Sequence, residues 1–139
     1  MRYYVDTQTV AQTVFRKDDL CREVRTLFED YSNRFYTSTV CIKELIHLIQ
    51  SDRIRPLRKR GEYKAGQILE DVPLAGIDIC GIDTRHLSTL ADLPLFADHN
   101  DPNDRLIIAQ AISDGVPLIS TDYKFRQYIP YGLLLIENR

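Results

Sequence analysis

The chain has 139 residues, 20 acidic against 18 basic side chains for a net charge of −2, and 44% hydrophobic and 27% charged residues. The length suits a single domain over 1–139, since domains run about 100–200 residues, and the acidic balance excludes a protein that coats nucleic acid through a general basic excess. No apolar run approaches the roughly 20 residues that a bilayer span needs, and Asp6 interrupts the N-terminus before a signal-peptide apolar core can form, so a cytoplasmic protein is expected.

Arg2–Val5 reads as a short buried strand with Asp6 at its C-terminal tip. Asp6 or Thr7 can cap a helix over Thr9–Phe15. Leu20, Val24, Leu27, Phe28 and Tyr31 recur at helical spacing, which predicts a helix over Asp18–Tyr31 with those five residues toward the core. Arg34–Thr37 is a second strand, followed by a helix over Val40–Gln50 that Ser38 or Thr39 caps; Val40, Ile42, Leu45, Ile46 and Ile49 face inward, and Glu44 projects near the helix start. A basic stretch follows, with Arg53, Arg55, Arg58, Lys59, Arg60 and Lys64, then a looser helix over Lys64–Asp71 ahead of Pro73.

Ile77–Ile82 is the third strand, Thr84–Asp92 a helix and Leu93–Asn100 a loop. A helix over Pro102–Asp114 ends at Gly115, placed as a C-terminal capping glycine. Val116–Thr121 is the fourth strand, Asp122–Tyr128 a short helix and Leu133–Glu137 the fifth strand. Strands alternating with helices define an α/β fold with a mostly parallel sheet. The three cysteines, Cys21, Cys41 and Cys80, lack any C-x-x-C pair and read as reduced, mostly buried side chains.

Ligands of open parallel sheets gather beyond the C-terminal ends of the strands. Asp6 follows strand one and Asp122 follows strand four, while Asp104 and Glu44 lie in the first turns of helices. All four can therefore share one edge. Carboxylates without a nearby His or Cys suit a hard ion such as Mg²⁺ or Mn²⁺, and their mutual repulsion must be offset by a cation or by protonation. Three of the acids also have a structural reading, Asp104 as the first-turn acid of a helix capped by Asp101, Asp122 as the cap of another and Glu44 as a solvated helix residue, whereas Asp6, directly after an apolar strand, is harder to dismiss.

Taken together, Val5-Asp6-Thr7, the S-T-x-x-x-x-E-L run of Ser38–Leu45, the D-P-x-D-R-L-x-I-A-Q-A run of Asp101–Ala111 and Ser120-Thr121-Asp122 resemble a PIN-domain ribonuclease, nearest the VapC-like toxins of toxin–antitoxin pairs. The resemblance spans nearly the whole chain. It implies a three-layer α/β/α domain with a five-stranded, mostly parallel sheet, and Mg²⁺- or Mn²⁺-dependent hydrolysis of RNA phosphodiesters. It also implies Asp6 and Asp104 as the main metal ligands with Glu44 and Asp122 completing the site, a homodimer, and an inhibitory antitoxin partner. Two positions depart from the family pattern: Gln8 where Asn is frequent, and Asn103 where an aromatic is frequent.

Arg53, Arg55, Arg58, Lys59 and Arg60 are candidates to guide an RNA backbone, or form a solvated face that pairs with acids or with the antitoxin. Arg105 is a candidate for phosphate or for a neighbouring acid. His99 is expected at the surface, and Tyr3, Tyr4, Tyr123, Tyr128 and Tyr131 in core and rim packing rather than in base stacking. Two other functions are open on sequence grounds. An inactive binding module of the same fold is the main alternative; a dehalogenase-like phosphatase ranks low, because Gln8 stands where that motif needs a second acid.

Overall fold

The computed structural model describes residues 1–56 and 63–139. Its strands are β1 (Arg2–Val5), β2 (Arg34–Ser38), β3 (Ile77–Cys80), β4 (Leu118–Ser120) and β5 (Leu135–Glu137). They pair in parallel in the order β3-β2-β1-β4-β5. The chain builds outward from β1 to β3, then crosses back to place β4 on the other flank of β1. That crossing makes a switch point between β1 and β4, where open α/β sheets leave a crevice at the C-terminal strand ends.

The period-two alternation of strands sorts side chains to two cores. Tyr3, Val5, Phe35 and Ile119 face one layer, built from α1 (Thr7–Phe15), α2 (Arg22–Glu29), α3 (Thr39–Gln50) and α4 (Ile68–Leu74) through Val10, Val24, Leu45 and Val72. Tyr4 and Leu118 face the other, built from α5 (Thr84–Asp92), α6 (Pro102–Asp114) and the 3-10 segment Tyr123–Tyr131. The architecture is thus three-layer α/β/α, as expected. Burying each Leu or Ile of these layers contributes about 1.5–3 kcal/mol.

A polar knot fastens the second layer. The Tyr4 hydroxyl donates to Asp114 Oδ2 at 2.6 Å, and His86 Nε2 and Arg85 Nη2 meet Asp114 Oδ1 at 3.0 and 3.1 Å. The end of α6 is so tied to β1 and to the start of α5. Gly115 follows α6 at φ 67°, the left-handed conformation that its missing Cβ permits.

Several expected boundaries shift. The helix expected over Asp18–Tyr31 is broken into a 3-10 turn, Lys17–Asp19, and α2, with Leu20 and Cys21 extended between them. The break has a tertiary cause: the Cys21 N–H is taken by Asn138 Oδ1 from beyond β5, and Arg25 Nη2 donates to the carbonyls of Asp18 and Leu20. Asp30 Oδ1 then accepts from Ser32 N and Oγ, a local turn that stops α2, so Tyr31 is 97% exposed instead of facing the core. The helix expected to stop before Pro73 runs on as α4 through it to Leu74, anchored by buried Ile68 and Val72. Strands three, four and five are each shorter than their apolar runs, and the segment after Asp122 is 3-10 helix to Tyr131.

Candidate active site

Val5 pairs with Ile119 across β1 and β4, so the residues that follow, Asp6 after β1 and Ser120 at the end of β4, lie side by side. Asp6 is the first of them, 6% exposed. It caps α1 by accepting from Thr9 N through Oδ1 at 3.0 Å, while Oδ2 accepts from Ser120 Oγ at 2.6 Å and Thr121 N at 3.3 Å. Burial pushes the Asp6 carboxyl above the usual carboxylate range, against the hydrogen bonds from Ser120 and Thr9. Asp122, two residues past β4, caps the 3-10 segment by accepting from Lys124 N at 2.9 Å.

Asp104 sits in the first turn of α6, whose cap is Asp101 accepting from Asn103 N and Asp104 N. Glu44 comes from α3, capped by Ser38, and its Oε1 accepts from Thr7 Oγ1 at 2.6 Å. Capping fixes the carboxylates of Asp6 and Asp122, and the positive helix ends partly offset the charge of these two and of Asp104.

All four acids line one cleft of about 470 Å³, together with Thr7, Gln8, Leu48, Thr121, Tyr123 and Phe125. Their repulsion is visible in Asp104. Burial first, then the charges of Asp101, Glu44, Asp6 and Asp122, push its carboxyl up to about 8. Among the described residues, no lysine or arginine forms an ion pair with any of the four. Asp104, Asp122 and His99 Nε2 bring ligand atoms within 4.8 Å of one another; Asp6 and Glu44 line the same cleft outside that group. An ionised carboxylate has about four acceptor sites, so the capping and hydrogen-bonded oxygens keep capacity for a ligand.

The donor set fits a hard divalent cation: oxygen-rich, acidic, unmatched by fixed cations among the described residues and opening to a cleft. One expectation is corrected here. The acids are not free of histidine, because His99 is buried at 5% exposure rather than at the surface. Its Nδ1 lies 2.9 Å from the Tyr128 hydroxyl, and its Nε2 faces Asp104 Oδ2 at 3.3 Å and Asp122 Oδ2 at 3.9 Å. Burial pulls the imidazole below its ordinary range, opposed by the charges of Asp122, Asp101 and Asp98. Nothing in the local sequence marks this contact, since Tyr128 lies 29 residues away. Thr7 and Ser120, the partners of Glu44 and Asp6, fall inside the V-D-T and S-T-D motifs and were readable there only as neighbours of acids.

The basic candidates separate. Arg105 Nη2 donates to the carbonyls of Leu93 and Pro94 at 3.0 and 3.3 Å and, among the described residues, pairs with no acid. Arg53 and Arg55 are exposed beyond the end of α3, with Arg55 paired to Asp52 at 3.4 Å. Arg58, Lys59 and Arg60 lie outside the described residues. Tyr3, Tyr4 and Tyr128 are core residues, whereas Tyr123 is 52% exposed at the cleft, with the Arg139 guanidinium 5.6 Å from its ring centre. Gln8 is exposed in the cleft wall and Asn103 half-buried beside Asp104.

The chain belongs to the PIN domain family, whose model matches residues 3–129. Among solved structures, it resembles VapBC2 from Rickettsia felis bound to a DNA fragment from their promoter, with a TM-score of 0.71 and 18% identity, covering 99% of this chain and 98% of that one. DNA-bound VapBC from Salmonella typhimurium follows at 0.67 and 17%, covering 100% and 99%. VapBC-1 from nontypeable Haemophilus influenzae matches at 0.63 and 18%, covering 99% and 98%. Comparison with curated proteins gives no match. The PIN resemblance carried by the motifs is borne out.

Proposed function

We propose that the chain is a divalent-metal-dependent endoribonuclease and the toxin of a toxin–antitoxin pair. The observation that carries this reading is the convergence of Asp6, Glu44, Asp104 and Asp122 on one cleft, unmatched by any lysine or arginine among the described residues. Asp104 and Asp6 would be the main holders of Mg²⁺ or Mn²⁺, with Glu44 and Asp122 completing the site. A bound ion of this kind supplies charge neutralisation for the phosphodiester and a water of lowered pKa.

The remaining work falls to the protein. Ser120 and Thr9 hold the Asp6 carboxylate at the mouth of β1, and Thr7 fixes Glu44 across from it. Tyr123 forms an exposed wall for the substrate strand, and Gln8 offers an amide toward the same cleft. Arg53 and Arg55, with Arg58, Lys59 and Arg60, are the phosphate-guiding candidates, because backbone contacts supply most sequence-independent affinity. Arg105 serves as a loop tether.

Solved VapBC neighbours, one of them described as a member of the VapBC family of toxin–antitoxin systems, support an antitoxin partner for this chain, and a homodimer, implied by the family resemblance, belongs to the same proposal. No helix among the described residues is long and apolar enough to cross a membrane, and a cytoplasmic location belongs to the same proposal. The test is incubation of the purified, partner-free chain with total cellular RNA, with Mn²⁺ or Mg²⁺ and with EDTA. Discrete fragments carrying 5′-phosphate ends, lost in EDTA, are expected. Intact RNA under all conditions would favour an inactive binding module.

A further inference from the structure

We infer that His99 is a positioning residue for the metal centre: set by Tyr128, it holds Asp104 from behind through an Nε2–H group, so that the carboxylate's other acceptor sites face the cleft. The inference rests on the metal-site reading above and deepens it. His99 belongs to no motif used to recognise the four acids.

The geometry gives the argument in three parts. First, His99 is 95% buried, as its 5% exposure requires, and it is not among the residues lining the cleft. It therefore approaches Asp104 from the protein side and is not placed as a ligand open to the substrate. Second, Nε2 has no solvent contact and makes no hydrogen bond of ordinary geometry, yet it faces Asp104 Oδ2 at 3.3 Å and Asp122 Oδ2 at 3.9 Å. A buried polar atom left in this state is unfavourable unless something else engages it, and the groups it faces are two acids of the candidate centre. Hydrogen bonds in ligand-free sites are often long and tighten on loading.

Third, the neighbours choose the tautomer. The Tyr128 hydroxyl has one proton and two acceptors in reach, His99 Nδ1 at 2.9 Å and the His99 carbonyl at 3.3 Å. Donation to Nδ1 uses the shorter contact and leaves the ring proton on Nε2, pointing at the carboxylates. Donation to the carbonyl would turn an Nε2 lone pair toward two acids, which is repulsive once a bound cation keeps both ionised. Phe125 and Tyr128 contact the ring edge-on at 5.2 and 5.3 Å between centres and fix its plane. Groups behind a ligand set its orientation and commonly change metal affinity about 10–100-fold when removed.

The test is Mn²⁺ titration calorimetry on wild type, His99→Phe, His99→Gln and Tyr128→Phe, each corrected for the folded fraction measured in EDTA. His99→Phe, which keeps a buried ring but no donor, is expected to weaken Mn²⁺ binding about 10–100-fold. His99→Gln, whose amide nitrogen takes the place of Nε2, loses less, and Tyr128→Phe falls between wild type and His99→Phe. A purely structural role would lower the melting temperature in EDTA and leave affinity per folded molecule unchanged. Ring ¹⁵N spectra of the wild type saturated with Mg²⁺ give a second reading, with the proton expected on Nε2. Unchanged affinity in His99→Phe, equal loss in His99→Gln and His99→Phe, or an unprotonated Nε2 overturns the inference. Failure of the wild type itself to bind Mn²⁺ removes the metal reading and this inference with it, a result distinguishable from the other three.

Discussion

Ser120 Oγ donates to Asp6 Oδ2 at 2.6 Å and joins the tips of β4 and β1 across 114 residues of chain. The bond lies at the switch point of the sheet, where the two strands diverge, and it holds a nearly buried carboxylate in the wall of the cleft. Ser120 is itself only 1% exposed, so water cannot replace it.

Removing this hydroxyl has a definite expectation. Ser120→Ala should destabilise the metal-free protein by about 1–3 kcal/mol, the range for a buried bond to an ionisable group, and push the Asp6 carboxyl further upward, since Ser120 is the largest influence lowering it. Urea unfolding at neutral pH measures the first effect. A variant as stable as the wild type would show that Asp6 is held by Thr9 and Thr121 alone.

Asp104 predicts the pH dependence of the metal-free protein. Its unfolded carboxyl titrates near 3.8 and its folded one at about 8. Between those values the folded state binds the extra proton, so stability is greatest near the lower limit and falls as pH rises through about 8. Asp6, also raised, acts in the same direction. We expect a loss of about 2–4 kcal/mol from about pH 5 to about pH 9, allowing for the partial exposure of Asp104. Asp104→Asn should flatten the slope, and saturating Mn²⁺ should raise the melting temperature most at the alkaline end. Melting curves in EDTA across that range check it; a wild-type slope retained in Asp104→Asn would contradict the assignment.

Arg105 separates two readings of one residue. As the tether of the 93–94 carbonyls, its replacement by Gln should lower stability by about 1–3 kcal/mol and leave RNA affinity per folded molecule unchanged. Filter binding at two salt concentrations, beside thermal unfolding, distinguishes this from a phosphate contact. A phosphate contact would weaken binding and flatten the salt dependence.

Tyr4→Phe serves as the control outside the cleft. Loss of the bond to Asp114 should cost about 1–2 kcal/mol, while His86 and Arg85 still engage that acid. Mn²⁺ affinity should match the wild type. A large drop in affinity would mean that the α6 tie reaches the acids at the opposite end of the helix.

The sequence was most legible where local chemistry and tertiary structure agree. β1 and α6 fall where their patterns place them, because Asp101-Pro102 and Gly115 supply start and stop signals that packing does not oppose. The four acids were readable because strand tips and helix starts occur at fixed places in a parallel α/β chain. The break at Leu20–Cys21 was hidden, since the group that takes the Cys21 N–H is Asn138, 117 residues away. His99 was hidden for a like reason: polarity suggested the surface, whereas Tyr128 and the acids give it a buried place. Arg105 stood beside an acid in sequence and turned instead to loop carbonyls.

The most direct measurement of the central claim is single-turnover cleavage of an end-labelled RNA, chosen from those cut in the total pool, by wild type and Asp104→Asn at the same Mn²⁺ concentration. The account predicts cleavage by the wild type, abolished by EDTA, and a rate at least about 100-fold lower in the variant, the scale at which losing a group that stabilises transition-state charge is felt. Equal rates for the two proteins would mean that the four-acid cleft is not where the RNA is cut.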